Sequence, residues 1–353
     1  MAGSPLDAAL SAGSSIGRYF SVAALIPATL LVVYLTGLLT AGALCGPFQA
    51  STGLAALGSL GLSGLGWVVS ASIATGVCLL PLTFRFTQLL EGYWGHGTLA
   101  IRVTEHFTRV HRCWLFGLNT WRGDREKAWT KPDPVERTQL IAIDGVRGAG
   151  ERRLNKRRGD RYLQPYLEDA AATAAIAGYP TSARRVLPTR LGNALRRMED
   201  SSGRPYGLDA ITVAPHLAMV CEERQQAQVS DAREMLDLSV NLCAVGALAC
   251  LATLVLLADD GFWILLALAP LAFSWLAYLG AIEAAGQFAT CFSAMLALSR
   301  LKLYDTLCLK RPTSIITEAE NHGPKITKLL DGQIVPLSLT QQKSTSDDQP
   351  AGR

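Results

Sequence analysis

The chain has 353 residues, of which 49% are hydrophobic and only 18% charged, against about 25% charged in a typical soluble domain. Its net charge of +4 is too small to point to nucleic acid, and its eight cysteines form no C-x-x-C pair or zinc spacing. The charges are also unevenly spread: Tyr19–Phe84, Leu238–Ala258 and Gly261–Ile282 contain none. A bilayer core roughly 30 Å thick needs about 20 apolar residues per helical span. Composition therefore excludes an ordinary soluble protein and points to an integral membrane protein.

In chain order, the expected elements begin with a short N-terminus, 1–20, and a first transmembrane hairpin, 21–84. Its spans are about Ser21–Ala43 and Gly66–Phe84, joined by the Gly- and Ser-rich stretch 46–65. That stretch reads as an outer loop, with a re-entrant or interfacial turn helix as the alternative. A second hairpin, 238–282, turns at Asp259-Asp260-Gly261. Pro27, Pro81 and Pro270 fall inside the spans, where proline kinks are tolerated. Beyond the second hairpin, 283–311 reads as an amphipathic continuation of the last span along the membrane surface, and 312–353 as a flexible tail.

Orientation follows from the basic residues, which collect on the cytoplasmic side. Arg18 precedes the first span, eight Lys and Arg lie from Arg300 onward, and the rest fall between Arg85 and Asp237. Neither hairpin turn carries one. Both termini and the central segment 85–237 are therefore expected in the cytoplasm. The fold class is mainly α: a polytopic helical membrane protein with two transmembrane hairpins flanking a cytoplasmic helical domain.

Within 85–237, a long helix leaves the membrane and breaks near Gly95–Gly97, with Trp94, Trp114, Phe116 and Trp121 interleaved with arginines. Such a pattern suits a helix at headgroup level or aromatics packed in a soluble core. A proline-rich linker at 131–134 follows. The glycines of 144–150 lack the G-K-[ST] of a phosphate loop. Next comes a basic run that includes Arg152, Arg153, Lys156, Arg157 and Arg158. Its readings are a solvated surface, a patch for anionic lipid headgroups, or, less well supported, nucleic acid. Further on, Thr189 is placed to cap a helix with Leu191, Leu195 and Met198 on one face.

The string Val186-Leu187-Pro188-Thr189-Arg190-Leu191-Gly192-Asn193, together with Tyr206-Gly207-Leu208-Asp209 and Leu89-Leu90-Glu91-Gly92-Tyr93-Trp94, resembles a family of uncharacterised bacterial multi-pass membrane proteins. The resemblance covers about the middle half of the chain. It implies a membrane protein with an intracellular domain and brings no activity or catalytic residue. Arg190, Asn193, Tyr206 and Asp209 are the candidate interaction residues.

Nothing points to catalysis, a cofactor or a metal. His106 and His111 do not share a helical face, and no serine sits in G-x-S-x-G. The expected function is a membrane anchor or sensor whose cytoplasmic domain binds a protein partner or a second copy of itself. The alternative is an oligomeric channel, transporter or membrane-permeabilising effector gated by that domain.

Overall fold

The computed structural model describes residues 20–44, 48–130 and 166–337. The basic run at 152–158, the 131–134 linker, the extreme N-terminus and the tail beyond 337 lie outside them. All helices and no strands make up the regular structure of the described residues. Four of these helices are long and apolar enough to cross a membrane. The chain forms two compact units, residues 1–90 with 198–353, and residues 91–197.

The first unit is organised by two long helices, α8 (Glu223–Leu256) and α9 (Leu268–Thr306). They run antiparallel from the turn at 257–261. A Cβ on Gly246 would lie 2.9 Å from the Cβ of Ser274, so the backbones approach closely there. Ser274 donates to the Cys243 carbonyl at 2.8 Å. At the far end Ser299 donates to Gln225 at 2.7 Å and Lys302 pairs with Glu222 at 2.9 Å. At 1.5 Å per residue the 34 residues of α8 extend about 50 Å.

The amphipathic helix expected to continue the last span over 283–311 is present as far as 306. Residues 283–306 continue α9 without a break and run beside the charged half of α8. The reason is packing: Phe292, Met295, Leu296 and Leu303 are buried in the unit's main core with Val213, Leu217 and Ile326. For the same reason 198–237, expected with 85–197, folds with the apolar helices. α7 (Ala210–Val220) packs on α9, and α8 is one helix through its charged and apolar halves.

Of the three span prolines, Pro81 lies inside α3 (Leu62–Glu91), while the other two sit where one helix type gives way to another: Pro27 where the π-helical turn Phe20–Leu25 becomes α1 (Ile26–Thr40), and Pro270 where the 3-10 turn Gly261–Ala267 becomes α9. Pro27 cannot donate to the carbonyl four residues back, Ala23. The fully buried Asn241 of α8 supplies that hydrogen, donating to Ala23 O at 2.7 Å and sharing hydrogen bonds with Thr83 of α3. One carboxamide thus ties three segments together.

The 46–65 stretch is more than an outer loop. It contains α2 (Ala50–Gly58), which folds back onto α1. α3 buries roughly one side chain per turn, Val68, Ser72, Gly76, Leu79, Thr83 and Thr87, and exposes most of the rest.

The flexible tail expected from 312 is also corrected over 315–330. There the chain forms a short helix, Ile315–Thr317, a π-helical turn, Glu318–His322, and α10 (Gly323–Leu330). Reversal after α9 uses paired hydrogen bonds, Leu309 N to Tyr304 O at 2.9 Å and Cys308 N to Asp305 O at 3.0 Å. Cys308 takes the left-handed conformation, φ 54°, that closes this type of cap. Leu309 and Tyr304 are both buried beneath it.

The second unit holds α4 (Thr98–Thr130), α5 (166–177) and the N-terminal half of α6 (Arg190–Ser202). Trp114 and Phe116 of α4 are exposed rather than packed in a core.

Replacing Asn241 with Leu strands the Ala23 carbonyl and is expected to cost about 2 kcal/mol. Reversible unfolding in mixed micelles reads this directly. A variant as stable as wild type would show that the carboxamide ties nothing together.

Candidate functional site

In the 91–197 unit, the backbone of Glu91 and Gly92 meets the Pro188–Gly192 turn. Gly92 has φ +101°, and a Cβ there would lie 2.3 Å from Pro188. A Cβ on Gly192 would lie 2.3 Å from the Glu91 carbonyl. The strings 89–94 and 186–193, about a hundred residues apart, are therefore packed against each other. Thr189 caps α6 as expected, accepting from Gly192 N at 3.1 Å.

Asn193 is wholly buried. Its carboxamide accepts from Leu187 N at 2.7 Å and donates to Leu187 O at 2.9 Å and Thr189 O at 2.7 Å. The side chain is spent on shaping its own turn and offers nothing to a partner. Arg190 is exposed beside it.

Arg190 has an electrostatic neighbour in His111 of α4. Burial, then the Arg190 charge, push the His111 pKa below its ordinary value of 6.5. The ring is held against Tyr179, Nδ1 to hydroxyl 2.7 Å, and Trp114 packs on Tyr179 with ring centroids 5.5 Å apart. Arg196 donates to the Tyr93 hydroxyl, and Arg122 pairs with Asp169 at 3.6 Å.

The other two candidates, Tyr206 and Asp209, lie in the first unit and are occupied differently. Asp209 caps α7, accepting from Ile211 N at 3.1 Å, and its own N–H donates to Thr327 Oγ1 at 3.1 Å. Gly207 has φ +68°, and a Cβ there would lie 2.2 Å from the Ala319 carbonyl. The Tyr206–Asp209 turn is thus a socket for the C-terminal segment.

That socket holds a deeply buried ionic group. Glu318, 1% exposed, accepts from Arg300 Nε at 3.2 Å. The Arg300 guanidinium stacks over the Tyr206 ring at 4.1 Å, and the buried Tyr304 hydroxyl lies beside the Glu318 carboxylate. His322 approaches the Tyr304 ring at 6.3 Å. Arg300 is recognisable in sequence only as a charge flanking a span. Glu318 carries no signal at all, since it stands in a polar stretch that reads as tail. Asn241 could have been found: it is the sole carboxamide between Leu238 and Ile282.

Among the described residues no three His, Cys, Asp or Glu side chains gather as a metal site requires. No family model, no curated protein and no solved structure matches the chain.

Two outcomes are expected. Glu318→Ala leaves Arg300 charged and unpaired where it is mostly buried, at a cost of about 3 kcal/mol. Limited trypsin digestion should then cut at Lys325 and Lys328 first, and cutting no faster than in wild type would rule out a latch. The second concerns pH. The folded state holds the His111 pKa down, so the unfolded chain binds the extra proton between that value and 6.5. Stability from this group is full above pH 6.5 and falls as the pH drops below it. Arg190→Gln should shrink that loss, as read by imidazole titration in NMR. An unchanged titration would remove Arg190 as a cause.

Proposed function

We propose that the protein is a multi-pass membrane anchor or sensor of a bacterial inner membrane, with four spans and both termini cytoplasmic. The basic residues outside the apolar helices support that orientation. The observation that supports the function best is the α8–α9 pair with the latch at its end. Both helices exceed a bilayer core of roughly 30 Å, so their charged halves stand clear of it. There they carry the Arg300–Glu318 pair, the Tyr206 socket and the packed 315–330 segment. Helices continuous from the membrane into a folded head couple what happens in one to the packing of the other.

In this reading the head and the 91–197 unit face the cytoplasm and engage a protein partner or a second copy of the chain. Arg190 is exposed and available for this; Asn193, Tyr206 and Asp209 shape the surfaces. The basic run at 152–158 adds attraction for anionic lipid headgroups. Purification in native lipid is expected to yield a stoichiometric cytoplasmic partner or a defined homo-oligomer, weakened by Arg190→Glu. Solute flux through the purified protein in liposomes, with no partner and no response to Arg190, would replace this reading with that of a channel or transporter.

Topology has its own test, in single-cysteine variants of sealed right-side-out cells. Cys113 and Cys308 are exposed outside the apolar runs, and Cys78 is exposed on the apolar face of α3. A membrane-impermeant maleimide is expected to label Cys113 and Cys308 only after permeabilisation, and Cys78 in neither state. Labelling of Cys308 in intact cells would reverse the orientation, and labelling of Cys78 would take α3 out of the membrane.

A further inference from the structure

Between α1, α2 and the ends of α8 and α9 nearest the 257–261 turn lies a cavity of about 590 Å³. Leu31, Leu54, Val245, Ala249 and Phe273 are among its walls, and no charged residue lines it. Its one polar side chain, Tyr34, is already bound to Thr253 of α8, hydroxyl to hydroxyl at 2.6 Å. No group is left to orient a polar ligand. An apolar cavity of about 150 Å³ accommodates benzene, so this one has room for a long hydrocarbon chain.

The shape fits such a chain. Along α1 the wall runs from Leu30 to Ala41, about 16 Å of helix. One side is closed by α2, which sits so near α1 that a Cβ on Gly53 would lie 2.6 Å from the Gly37 carbonyl. Folding back of the 46–65 stretch therefore turns an open helix face into a walled slot.

Charge selects the headgroup. At the slot's end Phe48 packs on Trp263 with ring centroids 4.9 Å apart, and Trp263 N donates to the Asp260 carbonyl at 3.3 Å. Asp259 and Asp260 thus stand near that rim. No Lys or Arg occurs between 19 and 84 or between 234 and 299 to offset them. An anionic headgroup at the rim would be repelled, and an ammonium-bearing one attracted.

We propose that this cavity holds one acyl chain of a zwitterionic phospholipid whose ammonium headgroup sits at the Asp259–Asp260 turn. The proposal rests on the reading that the apolar helices cross a bilayer.

The test is native mass spectrometry of the full chain extracted from vesicles of equal phosphatidylethanolamine and phosphatidylglycerol. Wild type is expected to retain one phosphatidylethanolamine per chain. Ala269→Trp and Leu54→Trp fill the slot from opposite walls and are expected to lower retention about tenfold each. Val77→Trp, on the exposed face of α3 outside the cavity, should retain lipid as wild type does. Two filling variants guard against one that fails to fold. Undiminished retention in both, or no retained lipid in wild type, overturns the site. Equal retention of phosphatidylglycerol overturns the headgroup assignment. The maleimide pattern reports bilayer insertion separately, so loss of the slot with that pattern intact leaves the membrane reading standing.

Discussion

The close approach of α8 and α9 at Gly246 and Ser274 is the contact on which the first unit depends. A side chain at 246 would push the pair apart where Ser274 reaches the Cys243 carbonyl. Because both helices are unbroken, that approach is carried to Gln225 and Ser299 at the other end. The remaining elements attach to this pair. Asn241 holds the chain before α1 and the middle of α3, and α7 and the C-terminal segment fill the groove beside Phe292 and Leu296.

The C-terminal segment is held by two devices of different kinds. The reversal at Cys308 is local, made by backbone hydrogen bonds that close the end of α9. The Glu318 contact is remote and ionic. Burying a carboxylate is costly unless it is paired, and Arg300 supplies the charge while Tyr206 covers the guanidinium face. A buried pair is weak evidence for stability but strongly resists loss of one partner. It therefore suits an element that is either docked or released. That is the physical content of placing a sensor's moving part here under the proposed function.

The strings 89–94, 186–193 and 206–209 have a structural role of their own. Gly92 stands against the Pro188 ring and Gly192 against the Glu91 carbonyl, and Asn193 fastens the 187–189 turn beside them. Gly207 does the same service against Ala319 in the other unit. These strings hold turns and sockets together, and Arg190 and one face of α4 remain exposed beside them.

The sequence by itself determined the helical class and the four apolar helices, because hydrocarbon-scale apolar runs leave few alternatives. It also determined the Thr189 cap and the break after α3, both set by neighbouring residues. Only the tertiary structure decided that 283–306 packs beside the charged half of α8, that 46–65 folds back as α2, and that 315–330 is docked rather than free. It alone assigned Asn193 to the interior and joined Arg300 to Glu318. The reason is common to all of them. Each depends on a partner distant in the chain, and a residue's periodicity and composition carry no record of which surface will cover it.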